Sequence, residues 1–77
     1  MNKFVISGHA RQRMGIRKIS MKMIRDTIFK SEYMSTGYFG RLLAFRSFPR
    51  GLLKVVYVRE GKTYFIISAI WVNKTKT

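Results

Sequence analysis

The side chains best suited to proton transfer and phosphate binding lie near the start of the chain. His9 and Arg13 are four residues apart, and Arg17 follows after a further four. His9 is the only histidine, and imidazole is the side chain that changes charge between about pH 5 and 8. Guanidinium groups bind phosphate oxygens through paired hydrogen bonds. The spacing predicts that His9 and Arg13 share one face of a helix, as a site for phosphate chemistry requires.

The overall charge points to a polyanionic partner. The 77 residues include 16 Lys and Arg against 3 Asp and Glu, and the formal net charge is +13. The basic residues are spread along the chain, which is typical of a folded basic face rather than a disordered arm. This charge favours nucleic acid, because phosphate contacts dominate nucleic-acid affinity. An anionic membrane surface or an acidic protein could use the same charge.

The scarcity of carboxylates and the absence of cysteine exclude several chemistries. Asp26, Glu32 and Glu60 are the only acidic residues, and they are too scattered for a two-metal nuclease site or a glycosidase pair. A chain with no cysteine has no thiolate nucleophile, disulfide or cysteine zinc site. Phosphate-loop and dinucleotide motifs are also absent. We therefore expect no cofactor and no metal site.

The remaining set of side chains is sufficient for RNA cleavage. A base takes the proton from the ribose 2′ hydroxyl, cations stabilise the charge that builds on the phosphorane, and an acid protonates the departing 5′ oxygen. An imidazole can act as the base or as the acid. We predict catalytic roles for His9, Arg13, Ser68 and Lys54. We predict nucleic-acid contacts by Arg11, Arg17, Arg46, Tyr57 and Arg59.

Each of these candidates also has a purely structural interpretation. A lone histidine near a helix start is more often a cap or a surface residue, and Arg13 and Arg17 are also typical of a solvated helix face. Tyr57 is more typical of core packing than of base stacking. Ser68 lies among isoleucines, where its hydroxyl either bonds a neighbouring backbone group or faces a substrate.

The pattern along the chain predicts one strand, two helices and then four strands. Ser7 is suited to cap a first helix that ends at Gly15, and Ser20 to cap a second helix that runs to about residue 30. The strands are predicted at residues 3–7, 33–38, 42–48, 53–59 and 63–72, with turns at residues 48–51 and 60–61. This order predicts a single α+β domain over residues 1–77, with both helices on one face of a mostly antiparallel sheet.

The last predicted strand is apolar on both of its faces. Strict alternation places residues 64, 66, 68, 70 and 72 on one face and residues 63, 65, 67, 69 and 71 on the other. Two short helices can cover only one face of the sheet. The other face is therefore expected to need a ligand groove, a partner protein or a second copy of the chain.

The sequence carries no pattern typical of export or membrane insertion. The apolar run near the N-terminus is too short for a signal peptide. No stretch approaches the roughly 18 consecutive apolar residues that a membrane span requires. We expect a cytoplasmic protein with no membrane partner, and a domain of this size offers a shallow groove rather than a deep catalytic cavity.

The front motif resembles the signature of a family of small bacterial, archaeal and viral domains. The matching residues run His9-Ala10-x-x-Arg13-Met14, then Arg17-x-Ile19-Ser20, and residues 53–58 and 65–68 are similar to the family's closing strands. That family is grouped with RelE/ParE-like toxins in the barnase, EndoU, colicin and RelE ribonuclease fold. Gly15 and the basic stretch at residues 16–18 (Ile-Arg-Lys) depart from it, since relatives often have an acidic residue there.

The resemblance implies a RelE-like fold and a set of site positions. His9, Arg13 and Arg17 fall on the family's recurrent polar positions, and Ser68 falls where many members carry threonine or serine. RelE-like ribosome-dependent toxins use lysine, arginine and tyrosine, which keeps Lys54, Arg46 and Tyr57 as secondary candidates. A toxin of this kind usually has an acidic antitoxin as its partner.

These observations favour an RNA-directed, metal-independent endoribonuclease of the toxin–antitoxin kind, acting on free or ribosome-bound RNA. The first alternative is a non-enzymatic basic nucleic-acid-binding protein, whose binding would survive the loss of His9. The second is an interaction protein that forms a homodimer through its apolar sheet face, with the charge serving solubility. Self-association with negligible RNA binding at moderate salt would favour this second alternative.

Overall fold

A computed structural model describes residues 2–72. The elements follow the order β-α-α-β-β-β-β that the sequence predicts, so the α+β class is confirmed. The strands are β1 (Lys3–Ile6), β2 (Tyr33–Thr36), β3 (Leu42–Phe48), β4 (Gly51–Glu60) and β5 (Thr63–Val72). The helices are α1 (Gly8–Arg17) and α2 (Met21–Phe29), and a 3-10 turn covers Tyr38–Gly40. Among residues 2–72, no helix combines the length and apolarity that a membrane crossing requires.

Serine hydroxyls begin both helices, as predicted. The Ser7 hydroxyl accepts a hydrogen bond of 3.1 Å from the Ala10 N–H at the start of α1. The Ser20 hydroxyl accepts one of 3.2 Å from the Met23 N–H at the start of α2. Each bond satisfies a backbone donor that the first helical turn leaves without a partner, which is worth about 1 kcal/mol.

The end of α1 differs from the prediction. The helix continues through Gly15 to Arg17 and ends at Lys18, whose φ of 57° is left-handed. The Lys18 N–H then bonds to the Gly15 carbonyl and the Ile19 N–H to the Met14 carbonyl. This pair of bonds is a Schellman ending, in which a lysine takes the position that glycine usually fills. The prediction of an end at Gly15 was wrong, and the two further residues bring Arg17 onto the face of α1 that carries His9 and Arg13.

The sheet is mixed and mostly antiparallel. Its strand order is β1-β5-β4-β3-β2. β1 pairs in parallel with β5, whereas β2, β3, β4 and β5 pair antiparallel with their neighbours. The parallel pair joins the first strand to the last, so both ends of the chain contribute neighbouring strands to the same sheet.

One predicted turn and several predicted strand ends shift by one or two residues. β1 ends at Ile6 instead of residue 7, and β4 covers residues 51–60 instead of 53–59. The turn between β3 and β4 lies at 49–50, within the predicted segment. The turn between β4 and β5 lies at 61–62, one residue later than predicted, because Glu60 pairs with Thr63 and Gly61 takes the positive φ of 61°. β2 ends at Thr36 instead of residue 38, where the 3-10 turn interrupts it.

A β-bulge in β5 changes which residues face the helices. Tyr57 pairs with Ile66, but Val56 pairs with Ser68, so Ile67 is an extra residue with no partner on β4. The side chains that pack toward the helices are therefore even-numbered before the bulge and odd-numbered after it; Tyr64, Ile66 and Ala69 are all buried. The strict alternation predicted for residues 63–72 was wrong, because one inserted residue reverses the facing of everything beyond it.

The hydrophobic core lies between the helices and one face of the sheet. It contains Met14, Ile19, Ile24, Ile28, Ala44, Leu53, Val55, Tyr57, Tyr64, Ile66 and Ala69. Thr27 is fully buried among them, and its hydroxyl donates a hydrogen bond of 2.7 Å to the Met23 carbonyl. Both helices contribute to this single core, as the prediction of two helices on one face requires.

The opposite face of the sheet, called the open face here, is also rich in apolar side chains. Successive side chains of a strand point to opposite faces of the sheet, so the residues of the open face are the strand positions that alternate with the core residues. The apolar members are Val5, Leu43, Phe45, Leu52, Val56, Val58, Phe65, Ile70 and Val72. Val5 and Phe65 are exposed, and the others are half-buried by their neighbours alone. Neither helix covers this face.

Candidate functional site

α1 lies beside the part of β5 that β1 does not reach. β1 pairs with β5 only as far as Ile66, so the edge of β5 beyond that residue has no neighbouring strand among residues 2–72. The Arg17 guanidinium donates a hydrogen bond of 3.0 Å to the Ala69 carbonyl. The Trp71 indole N–H donates one of 2.9 Å to the Arg17 carbonyl. These two bonds fix the C-terminal end of α1 against the edge of β5.

A shallow cleft of about 60 Å³ opens between α1 and β5. Its lining residues on α1 are His9, Ala10, Arg13 and Arg17, and those on β5 are Ile67, Ser68 and Ala69. The polar α1 residues recur every four positions, so successive helical turns present an imidazole and two guanidinium groups to one opening. The volume accommodates a few water-sized groups.

The charge of the cleft suits an anion. Two guanidinium groups line it and no carboxylate does. His9 and Arg13 are exposed and meet an incoming ligand directly, whereas Arg17 is half-buried and already has one N–H bonded to Ala69. Because a guanidinium has five N–H donors, Arg17 can hold the strand and still face an anion. Among residues 2–72, no three His, Asp or Glu side chains come together as metal ligands.

Ser68 lies at the rim of the cleft. It lines the opening together with His9 and Arg13. Its pairing with Val56 places it in the register of the open face, so the pleat directs its side chain away from the helices. The bulge at Ile67 produces this arrangement, and the contribution of β5 to the cleft is mainly its backbone edge.

Lys54 and Arg46 lie apart from the cleft. Lys54 is on the open face, where its β4 position pairs with Phe45 on one side and Ile70 on the other. Arg46 is on β3, where its guanidinium donates a hydrogen bond of 2.8 Å to the Lys30 carbonyl. The same guanidinium lies 5.8 Å from the centre of the Phe48 ring. Neither side chain lines the His9 cleft.

The other three predicted contact residues are also separate from it. Tyr57 is only 3% exposed and belongs to the core. Burial raises the pKa of the Tyr57 hydroxyl above its ordinary value of 10.0; the neighbouring Tyr64 raises this pKa further, and Arg59 lowers it. Arg59 donates to the Gly61 carbonyl at 2.9 Å and covers the Tyr64 ring at 5.6 Å. Arg11 is exposed on α1 but does not line the cleft.

A second basic surface, called the α2 groove here, was not foreseen. Lys22, Arg25, Asp26, Phe29 and Lys30 line this open groove of about 460 Å³. Three of the five are cationic, and the Phe29 ring is 46% exposed among them. Their spacing along α2 follows one helical stripe, so a search for charged residues at helical spacing around an aromatic could have found them.

The bonds between α1 and β5 were also missed. The alternation pattern assigned residue 71 only to one face of the last strand, yet the Trp71 indole N–H donates to the Arg17 carbonyl. Nothing in the spacing of residues 17 and 71 signals this contact, because it depends on the two further residues of α1 and on the bulge in β5.

Known proteins do not identify the chain. Comparison finds no matching family model, no matching curated protein and no matching solved structure. The resemblance of the front motif to RelE-like domains therefore stays a prediction. The chemistry of the cleft residues is the remaining basis for assigning a function.

Proposed function

We propose that the protein is an RNA-directed, metal-independent endoribonuclease that acts at the cleft between α1 and β5. The observation that supports this function best is the convergence of His9, Arg13 and Arg17 on one opening. The imidazole supplies proton transfer near neutral pH, and the guanidinium groups supply the charge that a phosphodiester and its transition state need.

His9 acts on the ribose that precedes the scissile phosphate. Its neutral imidazole takes the proton of the 2′ hydroxyl, and the 2′ oxygen attacks phosphorus. The bond from phosphorus to the 5′ oxygen then breaks, which leaves a 2′,3′-cyclic phosphate and a 5′ hydroxyl. The imidazolium returns its proton to the departing 5′ oxygen. Each proton transfer of this kind contributes about 100- to 10,000-fold in rate.

Arg13 and Arg17 divide the binding of the phosphate between them. The exposed Arg13 guanidinium is free to contact the non-bridging oxygens, where negative charge grows as the phosphorane forms. The Arg17 guanidinium is held by the Ala69 carbonyl at 3.0 Å, so it presents its remaining donors from a fixed position. Arg13 acts chiefly on the transition state, whereas Arg17 also positions α1.

The α2 groove extends the binding surface beyond the scissile phosphate. Lys22, Arg25 and Lys30 contact phosphates of the flanking RNA, and the exposed Phe29 ring offers a surface for base stacking. The net charge of +13 attracts the strand over a longer range. Binding through phosphates at this surface is sensitive to salt.

The RelE-like toxin class, with a cytoplasmic RNA substrate and an acidic antitoxin, is part of the same proposal. The α+β order with both helices on one side of a mostly antiparallel sheet is compatible with it. The front motif that contains His9 and Arg13 supports it by resemblance. In this class the RNA is free or bound to the ribosome, and the antitoxin neutralises part of the basic surface.

The test is cleavage of a labelled single-stranded RNA in excess EDTA. The wild-type chain is expected to yield cyclic-phosphate ends, and His9→Ala to lose at least about 100-fold in rate. Lys62→Ala is the matched control, because Lys62 is an exposed cation of the β4–β5 turn outside both the cleft and the α2 groove. A substrate with one deoxyribose at the scissile position should resist cleavage there, since the attacking hydroxyl is gone.

The absence of cleavage, with equal RNA binding by wild type and His9→Ala, would contradict the enzymatic proposal for free RNA. The same assay on ribosome-bound RNA would then decide whether cleavage needs the ribosome. Failure of both assays would favour the basic nucleic-acid-binding protein instead.

A further inference from the structure

The open face of the sheet has no part in the proposed cleavage, because His9, Arg13 and Arg17, which carry the proposed chemistry, all belong to α1. Within the strands, the charged residues of this face are Lys3, Lys54 and Glu60, although the whole chain carries +13. The basic residues are therefore concentrated away from the open face. A large, nearly neutral and apolar sheet surface is typical of a protein interface.

Lys54 restricts which partner can cover this face. Its neighbours across the strands are Phe45 and Ile70, so any partner that covers the face removes the ammonium group from water among apolar groups. A charge desolvated in this way is costly unless an opposite charge meets it. The partner must therefore bring a carboxylate to the position above Lys54.

A second copy of the chain has such a carboxylate at the required distance. Glu60 lies on the same strand and the same face as Lys54, six residues further along, which is about 20 Å at about 3.3 Å per residue. Val56 and Val58 lie between them. Consider a two-fold axis that lies in the interface, parallel to the sheet and perpendicular to β4, and that crosses β4 midway between these valines. Rotation about this axis makes β4 of the second copy run antiparallel to β4 of the first. It brings Lys54 of each copy opposite Glu60 of the other.

We propose that the open face binds a second copy of this chain, forming a sheet-on-sheet dimer in which Lys54 of each protomer pairs with Glu60 of its partner. Val56 then packs against Val58 across the axis, as a self-complementary two-fold interface requires. The other in-plane orientation, with β4 strands parallel, sets Lys54 against Lys54 and leaves both charges unpaired. The charge pattern therefore selects the antiparallel arrangement.

The size of the face predicts a reversible dimer. β3, β4 and β5 have 7, 10 and 10 residues. At about 3.3 Å per residue and about 4.8 Å between strands, the three present a plan area on the order of 400 Å². The short strands β1 and β2 add to this area. Stable interfaces bury about 800 Å² per partner, so this interface is smaller than a stable one and the dimer dissociates on dilution.

Salt should act on this association in the opposite direction to RNA binding. Two copies each carry a net charge of +13 and repel one another over a distance that salt shortens. Salt also strengthens the burial of apolar surface when it is excluded from the protein. Dimerisation is therefore expected to strengthen as salt rises, whereas RNA binding weakens.

A charge-swap cycle on the full chain tests the arrangement by sedimentation equilibrium. Lys54→Glu sets two glutamates against each other at each pair, and Glu60→Lys sets two lysines. Each change is expected to weaken dimerisation at least about tenfold, since close interfacial charge pairs are strongly coupled. The double variant reverses both pairs and should return the dissociation constant to within about threefold of wild type.

Matched controls separate this effect from net charge and from folding. Lys22→Glu and Glu32→Lys make the same charge changes at exposed positions outside the open face, and dimerisation should be retained in both. Circular dichroism confirms that each variant folds, and the restored double variant excludes a general folding defect. His9→Ala should dimerise as wild type does, which keeps this test independent of the proposed cleavage.

Two results would overturn the proposal. A wild-type chain that stays monomeric from micromolar to submillimolar concentration at high salt would leave the open face to another occupant, such as an acidic protein or residues 73–77. A dimer that is insensitive to both single swaps, or that the double swap fails to restore, would form through another surface or in another orientation.

Discussion

The indole N–H of Trp71 donates a hydrogen bond of 2.9 Å to the backbone carbonyl of Arg17, 54 positions earlier in the chain. Arg17 in turn donates from its guanidinium to the carbonyl of Ala69, two residues before Trp71. A side chain of β5 thus bonds the backbone of α1, and a side chain of α1 bonds the backbone of β5. The two bonds satisfy one carbonyl at the end of α1 and one at the edge of β5, and Arg17 and Ala69 also line the cleft.

Replacing Trp71 with phenylalanine is expected to lower the free energy of unfolding by about 1 to 2 kcal/mol, from the lost hydrogen bond and the smaller ring. Urea denaturation measures this loss. Phe65→Leu is the control, because it changes an aromatic residue of β5 that lies on the open face. A Trp71→Phe chain as stable as wild type would show that the indole bond contributes nothing to the docking of α1.

Replacing Arg13 with alanine is expected to lower the rate of RNA cleavage about 10- to 1,000-fold, with little change in stability. The reason is that Arg13 is exposed on the cleft and acts on charge that develops in the transition state. Single-turnover cleavage and thermal unfolding measure the two effects. If Arg13→Ala weakens substrate binding but leaves the single-turnover rate at saturation unchanged, then Arg13 binds the ground state and transition state equally.

Replacing Lys22 with alanine is expected to weaken RNA binding and to reduce the slope of log affinity against log salt by about 0.7 to 1. Lys22 lines the α2 groove, where it neutralises one phosphate. Fluorescence titration of a labelled RNA over a series of salt concentrations measures the slope. Lys62→Ala, which removes an exposed cation of the β4–β5 turn outside both the cleft and the α2 groove, serves as the comparison. An unchanged slope for Lys22→Ala would exclude the groove from the binding surface.

Stability is expected to fall with rising pH above about pH 10, and Tyr57 contributes to this fall. Burial raises the pKa of Tyr57 above 10.0 in the folded chain, so the unfolded chain loses this proton first. Between the unfolded and folded pKa values the folded state binds more protons, and the free energy of unfolding therefore decreases as pH increases. Below pH 10 this contribution is fully present.

Denaturation of wild type and Tyr57→Phe from pH 8 to 11 isolates the effect. All other side chains are the same in both chains, so only the difference in slope belongs to Tyr57. The variant should lose less stability than wild type over the upper part of this range. Parallel curves would mean that Tyr57 ionises equally easily in both states.

Local signals in the sequence were sufficient for much of the fold. Ser7 and Ser20 mark the helix starts through a hydroxyl that accepts a hydrogen bond from the backbone three residues on, and the β-branched runs of β4 and β5 mark the long strands. The proximity of His9 and Arg13 follows from helical spacing alone. These features depend on neighbours in sequence, so the sequence contains their cause.

The remaining features depend on contacts between distant residues. α1 passes Gly15 because its last turn is held by β5 through Arg17 and Trp71, and no local pattern reports that contact. The sequence also does not reveal the bulge at Ile67. The odd-numbered and the even-numbered residues of β5 are both apolar, so the pattern is the same whichever set faces the helices. This bulge decides that Ser68 lies at the rim of the cleft with its side chain toward the open face. Lys54 and Tyr57 were separated from His9 for the same reason, because face and burial are set by the register of the whole sheet.

The pairing of β1 with β5 has a consequence for the synthesis of the protein. The two walls of the cleft come from residues 9–17 and 67–69, and β1 has no partner strand until β5 exists. A nascent chain that has produced α1, α2 and the first hairpin still has an incomplete sheet and no cleft. The proposed activity therefore arises only once translation has passed β5.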